Sequence, residues 1–178
     1  MFEPTTSNYL TLLRMLLVPV LVVFLLSELS IGEELAAGIF VFASVTDVVD
    51  GWLARRNDEV TNFGKLMDPL ADKLLVTAAL VALVSLDRVD AWVAMVIIAR
   101  EFAVTGMRQV AVEQGQVIAA STWGKRKTAL QIAMVLALIL VHGSPLWLDG
   151  LVYVTVAVTV FSGAEYFFEL RRVTTAKA

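Results

Sequence analysis

Apolar residues run along this chain in six long segments that are separated by short polar turns. Most of the segments approach the roughly 20 residues that a helix needs to cross the hydrocarbon core of a bilayer. Because the turns are short, successive helices are expected to be antiparallel neighbours. The pattern predicts an all-α fold, a polytopic membrane protein whose six transmembrane helices form a bundle. The segments are approximately Tyr9–Leu29, Glu34–Arg55, Leu66–Leu86, Ala91–Val112, Lys127–His142 and Trp147–Leu170.

Composition agrees with a single membrane domain over residues 1–178. Hydrophobic residues make up 58% of the chain and the mean hydropathy is +0.78, well above the values of ordinary soluble domains. The residues Met1–Asn8 lack a basic region, so the first apolar segment is expected to be a retained span and not a cleaved signal peptide. With no cysteine and one histidine, His142, the chain has no disulfide, no thiol nucleophile and no histidine-built metal site.

Charged residues differ between the two sides of the predicted bundle, and this difference predicts its orientation. One set of turns and ends is strongly basic, and the opposite set has a single lysine or arginine. By the positive-inside rule the basic side faces the cytoplasm, together with both termini. The basic side holds Arg55, Arg56, Lys65, Lys125, Arg126, Lys127, Arg171, Arg172 and Lys177, and the other holds Glu28, Glu33, Glu34, Asp87, Arg88, Asp90, His142 and Asp149.

Several spans have a charge-free core shorter than a bilayer, so their cytoplasmic halves must include charged residues. Charges at that depth persist where they line a cavity enclosed by protein or filled with water. We therefore expect a polar cavity that opens to the cytoplasmic side, with packed apolar residues beyond it. The short cores are Met15–Ser27, Leu35–Thr46, Leu74–Leu86 and Ala91–Ala99.

Four aspartates stand at helical spacing where the second segment ends and the third begins. Asp47 and Asp50 are three residues apart and Asp68 and Asp72 are four apart, so each pair lies on one face of a helix. At 1.5 Å per residue, Asp50 and Asp47 lie about 7 and 12 Å from Arg55, and the second pair lies at a similar depth on the next span. Four converging carboxylates repel one another unless cations lie between them, and hard oxygen ligands suit Mg²⁺, or alternatively Mn²⁺. The spacing predicts a site for two divalent cations.

The aspartates belong to a longer pattern, D-x2-D-G-x2-A-R-x8-G-x3-D-x3-D, whose eight defined positions are all filled within residues 47–72. This pattern resembles the signature of the CDP-alcohol phosphatidyltransferases. The likeness continues on both sides of the signature, where four further pieces look most like the phosphatidylglycerophosphate synthases of that family. These pieces are Asn8-x2-Thr11-x2-Arg14, Met67–Lys73 (MDPLADK), Ile98–Phe102 (IAREF) and Gly124–Thr128 (GKRKT).

The resemblance implies transfer of the phosphatidyl group of CDP-diacylglycerol to an alcohol, with release of CMP. It also implies that Asp47, Asp50 and Asp68 bind the two metal ions, and that Asp72 touches a metal and acts as the base. The residues alone agree on metal binding but do not single out the base. Small residues beside the carboxylates would let a nucleotide approach the helix backbone, and an arginine fork suits phosphate oxygens. The expected CDP-diacylglycerol contacts are Asn8, Thr11, Gly51, Ala54, Arg55, Thr61 and Gly64.

Three of these donor contacts have plainer interpretations. Asn8, with Thr5, Thr6 and Ser7, could be no more than an N-cap of the first span. Gly51 and Ala54 could form a contact between helices through their small side chains.

Basic and polar residues of the fourth and fifth segments suit a small anionic acceptor such as glycerol 3-phosphate. Gly124, Thr128 and Gln131 fall at positions i, i+4 and i+7, and Arg108 lies within an apolar stretch, which makes it the preferred phosphate ligand. In the alternative interpretation the lysines only set orientation or meet anionic lipid, and Arg100 only pairs with Glu101. The candidate acceptor contacts are Arg100, Arg108, Lys125, Lys127 and Thr128.

Other acceptors and other protein classes are also considered. The acceptor could also be inositol phosphate, serine or phosphatidylglycerol, because the signature identifies the donor and not the acceptor. In a cation transporter lined by carboxylates, the Gly-x2-Ala-Arg spacing would have no role. Intramembrane prenyltransferases carry two separate aspartate-rich motifs on longer chains, which differs from the compact signature of this chain.

The resemblance implies a homodimer. The positive-inside rule places the signature turn, and with it the active site, on the cytoplasmic side of the cell membrane. The expected partners include membrane lipids and no nucleic acid.

Overall fold

The computed structural model describes the backbone of residues 6–57, 62–113 and 122–175, and the side chains at positions 9–46, 71, 73–112, 123–124 and 126–172. This described part consists of six α-helices without a strand, which confirms the prediction of an all-α chain with six helices. The helices are α1 (Thr6–Leu26), α2 (Gly32–Asn57), α3 (Asn62–Ser85), α4 (Ala91–Glu113), α5 (Thr122–Leu140) and α6 (Leu146–Thr175).

The helices extend beyond their predicted apolar segments, and α5 and α6 do so furthest, by five residues each. The fifth helix begins at Thr122 instead of Lys127, and the sixth continues to Thr175 instead of ending at Leu170. Lysine and arginine are good helix formers, so a helix continues through a charged stretch in which hydropathy falls. Hydropathy therefore locates the apolar part of each helix and misses its polar ends.

The chain divides into two units. The first comprises Met1–Val89 with Val135–His142, and the second comprises Asp90–Met134 with Gly143–Ala178. Within the first unit, α1 packs along α2 and α3. Within the second, α4 packs against α6. The helix α5 contributes its last residues to the first unit and its earlier residues to the second.

Small residues let the helices of the first unit approach closely. Ala36 and Ala43 on α2 and Ala79 on α3 are fully buried, together with Leu21 on α1 and Phe40 on α2. Alanine at a helix contact brings two backbones near each other, as is common where helices pack in membranes. The packing supports a tight group of α1, α2 and α3, the helices that carry the aspartate signature.

Gly32 is required where α2 begins. A Cβ atom at this position would lie 2.6 Å from Ser27 Oγ and 2.7 Å from the Phe24 carbonyl oxygen. The Gly32 amide donates to the Leu29 carbonyl oxygen at 2.9 Å, which closes the turn after α1. A side chain here would push the start of α2 away from the end of α1.

Arg88 links three parts of the first unit. It follows Asp87, whose φ of 53° lies in the left-handed region. The Arg88 guanidinium pairs with both carboxylate oxygens of Glu33 at the start of α2. It also donates to the carbonyl oxygens of Leu138 at 3.2 Å and Ile139 at 2.6 Å, in the last turn of α5. These carbonyls lack helical donors, so Arg88 caps α5 while it holds α2.

The second unit buries several polar side chains among its apolar ones and exposes large apolar side chains. Of the six buried residues among the described side chains of α6, four carry hydroxyl groups: Thr155, Thr159, Ser162 and Tyr166. Outward positions on the same helix hold large apolar side chains such as Phe168, which is 65% exposed. The stretches Tyr9–Leu26 and Leu146–Arg172 are long and apolar enough to cross a membrane by length and composition.

Candidate active site

The signature aspartates lie on two consecutive helices of the first unit. Asp47 and Asp50 are in the second half of α2, and Asp68 and Asp72 are in the first half of α3. Because the backbone is helical at all four positions, the three- and four-residue spacings put each pair on one face. The structure describes only the backbone at these four positions. The same holds for Asn8, Gly51, Ala54, Arg55 and Gly64, and Thr61 lies wholly outside the described residues. The two-metal site therefore stays a prediction.

Two buried residues of α1 lie in the same three-helix group. Thr11, a predicted contact of the donor, is fully buried, and Arg14 is the largest side chain with almost no exposed surface. They are three residues apart and so share one face of α1. Burying a guanidinium is expensive unless negative groups surround it. Arg14 belongs to the motif Asn8-x2-Thr11-x2-Arg14, from which no role was predicted for it. The burial of Arg14 marks it as a candidate site residue.

The helix α1 begins at Thr6. Asn8 therefore lies inside the described helix, three residues before Thr11, and its contact with the donor stays a prediction.

A cluster of three charged side chains forms in the second unit, and it includes two of the predicted acceptor contacts. Glu101 Oε1 accepts a hydrogen bond from Arg100 Nη1 at 3.0 Å and another from Lys127 Nζ. Glu101 and Lys127 are buried, and the Arg100 side chain is 15% exposed. Arg100 Nη2 also donates to Ser162 Oγ at 3.0 Å. We name Arg100, Glu101, Lys127 and Ser162 the cation cluster.

Two of the remaining predicted acceptor contacts, Arg108 and Thr128, lie apart from these hydrogen bonds. Arg108 is exposed and its guanidinium lies over the ring of Tyr166, with 5.7 Å from Cζ to the centroid. Eight residues separate it from Arg100, or about 12 Å along α4. Thr128 is exposed and donates to the Gly124 carbonyl oxygen at 3.2 Å, within its own helix. The side chain of Lys125 lies outside the described residues.

The buried polar face of α5 differs in phase from the predicted one. Lys127 and Gln131 are buried and Thr128 is exposed, so the buried face passes through positions 127, 131 and 134. Of the predicted positions 124, 128 and 131, only 131 is buried. Gln131 Nε2 donates to Thr159 Oγ1 on α6 at 3.4 Å. Charges at the start of a helix do not fix which side turns inward, because lysine can extend from a buried or an exposed face.

Comparisons with known proteins identify the fold family. The model of the CDP-alcohol phosphatidyltransferase family matches residues 4–161. This chain belongs to that family. The match runs from the start of α1 well into α6, so the signature aspartates and the cation cluster, apart from Ser162, lie within the matched range.

Relatives share most of their length with this chain. A Bacillus subtilis protein named CDP-diacylglycerol–glycerol-3-phosphate 3-phosphatidyltransferase is 48% identical over 178 residues, which covers 90% of this chain and 92% of the relative. A Rickettsia prowazekii protein of the same name is 37% identical, covering 93% of this chain and 94% of its own. A Mycobacterium tuberculosis protein named probable phosphatidylglycerophosphate synthase is 38% identical over 90% of this chain and 78% of its own.

Membership of the family fixes the general chemistry. The chain is a CDP-diacylglycerol-dependent phosphatidyltransferase of phospholipid biosynthesis. The family is membrane-associated and generally uses divalent cations. Among the described side chains, no three histidine, aspartate or glutamate residues lie close enough to hold a metal ion. The signature aspartates, whose side chains are not described, stay the candidate ligands.

Proposed function

We propose that this protein transfers the phosphatidyl group of CDP-diacylglycerol to glycerol 3-phosphate, giving phosphatidylglycerophosphate and CMP. The observation that carries the proposal is the extent of identity with relatives that bear this name, up to 48% over nine tenths of the chain. The complete signature supports the donor, and the cation cluster supports an acceptor with a negative charge.

The proposed protein spans the cell membrane six times, with both termini and the active site on the cytoplasmic side. Support comes from the apolar outward face of α6 and from the exposed side chains of α1, where Leu16 is 68% and Val23 is 66% exposed. In water such surfaces would favour aggregation, whereas lipid tails are a suitable solvent for them. Basic residues concentrated on one side of the predicted spans support the orientation. The polar cavity is proposed to open on that side.

The donor is proposed to bind at the signature. Asp47, Asp50, Asp68 and Asp72 form an all-oxygen donor set that fits Mg²⁺ or Mn²⁺, and two such ions would offset the charge that builds on the diphosphate. Arg55 would contact phosphate oxygens. The further donor contacts would be Asn8, Thr11, Gly51, Ala54, Thr61 and Gly64.

Asp72 is proposed to take the proton from the acceptor hydroxyl. The hydroxyl oxygen then forms a bond to the β-phosphorus, which carries the diacylglycerol, while the bond from that phosphorus to the bridging oxygen of CMP breaks. Direct attack of this kind forms no covalent bond between the enzyme and the phosphatidyl group.

The acceptor phosphate is proposed to bind near the cation cluster. Arg100 and Lys127 are the best supported ligands, because they meet at one carboxylate and because buried cations attract anions more strongly than solvated ones. Arg108, Lys125 and Thr128 are kept as further contacts. The proposal includes a homodimer, which rests on the family resemblance alone.

A panel of acceptors tests this function. Purified protein in detergent would receive CDP-diacylglycerol, Mg²⁺ and one alcohol at a time: glycerol 3-phosphate, serine, inositol phosphate or phosphatidylglycerol. The proposal expects metal-dependent CMP release only with glycerol 3-phosphate. CMP release with another alcohol, and not with glycerol 3-phosphate, would agree with the chemistry of the family but contradict the proposed acceptor.

A further inference from the structure

Glu101 is a carboxylate on the buried face of an apolar helix. The buried positions of α4 include Val93, Ile97, Val104 and Ala111, and Glu101 falls on the same face, four residues after Ile97 and three before Val104. It is 5% exposed. A glutamate at such a position is rare unless it is paired, and it serves neither the aspartate signature nor the predicted acceptor set.

One oxygen of Glu101 organises two cations from different helices. Oε1 accepts from Nη1 of Arg100, its neighbour on α4, and from Nζ of Lys127 on α5. Two positive groups buried this close would repel each other without the carboxylate between them. Among the described side chains that pair here, one is negative and two are positive.

Arg100 is fixed on its remaining sides. Its Nη2 donates to Ser162 Oγ on α6. The neighbouring residue of α6 is Gly163, where a Cβ atom would lie 3.1 Å from Arg100 Cγ. The glycine thus leaves room for the arginine stem. Arg100 Nε is buried and has no hydrogen-bond partner among the residues that the structure describes, although buried polar groups normally have one. The guanidinium is therefore held in place with one donor still to be satisfied.

We propose that Glu101 is the positioning residue of the acceptor site: its carboxylate holds Arg100 and Lys127 in the arrangement that receives the phosphate of the acceptor. This inference rests on the proposed function, because it assumes that the cluster binds a phosphorylated alcohol. Glu101 itself does not touch the phosphate, since like charges repel. It acts through the two cations, and the unsatisfied Nε of Arg100 is a donor that a phosphate oxygen would complete.

Glu101→Gln tests the role, because the amide keeps the size and an acceptor oxygen but removes the charge. We expect the KM for glycerol 3-phosphate to rise about 10- to 100-fold, in line with the loss of charge-assisted hydrogen bonds, while the KM for CDP-diacylglycerol stays within about twofold. Glu101→Asp restores the carboxylate one methylene short and should recover part of the affinity. Glu169→Gln, on the exposed face of α6, is the matched control and should leave both constants unchanged.

A second measurement separates positioning from simple stability. Lys127→Met removes one of the two cations, and Glu101→Gln with Lys127→Met restores the net charge of the wild-type cluster. If Glu101 acts through Lys127, the double variant should raise the acceptor KM by clearly less than the product of the single effects. Where Glu101→Gln alone does not fold, Glu101→Asp takes its place in the same cycle with Lys127→Met.

Several outcomes would overturn the inference. An unchanged acceptor KM with a lower thermal midpoint would show that Glu101 only stabilises the fold. A lower acceptor KM would show that it competes with the phosphate, and fully multiplying single effects would show that it acts independently of Lys127. Failure of the proposed function is distinct, since the wild-type protein would then show no transfer to glycerol 3-phosphate before any variant is compared.

Discussion

Replacing Arg88 by methionine should destabilise the first unit without affecting catalysis. Methionine keeps much of the apolar stem and removes the guanidinium, which pairs with Glu33 and donates to two carbonyl oxygens of α5. The Arg88 and Glu33 side chains are 17% and 28% exposed, so solvent screens the pair only in part. Hydrogen bonds to charged groups contribute about 1.5–3 kcal/mol each, and a cation at a helix C-terminus adds about 0.3–1 kcal/mol. Since the freed carboxylate and carbonyls regain some water, we expect a net loss of about 2–3 kcal/mol.

That loss corresponds to a fall of about 4–12 °C in the thermal midpoint for a chain of this length. The four tryptophans allow the midpoint to be followed by intrinsic fluorescence in detergent. Glu34→Gln is the matched control, because Glu34 is the exposed neighbour of Glu33 in the first turn of α2. Glu33→Gln combined with Arg88→Met should cost less than the sum of the single changes. A thermal midpoint of Arg88→Met within about 1 °C of the wild type would show that the contacts of Arg88 do not stabilise the first unit.

Three further predictions concern the chemistry. Asp→Asn substitutions at each signature aspartate should nearly abolish transfer while the protein stays folded by its thermal midpoint, and full activity of any two variants would contradict the two-metal assignment; the positions are Asp47, Asp50, Asp68 and Asp72. Direct attack predicts that radiolabelled CDP-diacylglycerol without acceptor leaves no label on the protein, and a burst of CMP equal to the enzyme concentration would argue for a covalent intermediate. Arg108→Ala should lower the kcat/KM for glycerol 3-phosphate about 10- to 150-fold. If it weakens donor binding instead, the acceptor pocket lies elsewhere.

The helices were predictable because each one contains an apolar stretch that hydropathy detects. Their polar ends were not, as the early start of α5 at Thr122 illustrates. Hydropathy registers lysine and arginine as the end of a span, although both residues continue a helix well.

The candidate site was predictable where it depends on local spacing. The aspartate pairs follow from intervals of three and four residues, and the pairing of Arg100 with Glu101 joins neighbours in sequence. Lys127 completes that cluster from 26 residues away, and Arg108 lies over Tyr166 of another helix. Such contacts depend on how helices rotate about their axes, and the apolar pattern leaves this rotation open when several faces of a helix are apolar.

The incorporation of glycerol 3-phosphate into the lipid product can be measured directly. Purified protein would be incubated with CDP-diacylglycerol, Mg²⁺ and glycerol 3-phosphate labelled in its phosphate, and the lipid extract would then be counted beside the released CMP. We expect one labelled phosphate in the lipid for each CMP, and no label when Asp68 is replaced by asparagine. CMP release without label in the lipid, or label that persists in the Asp68→Asn protein, would contradict this expectation.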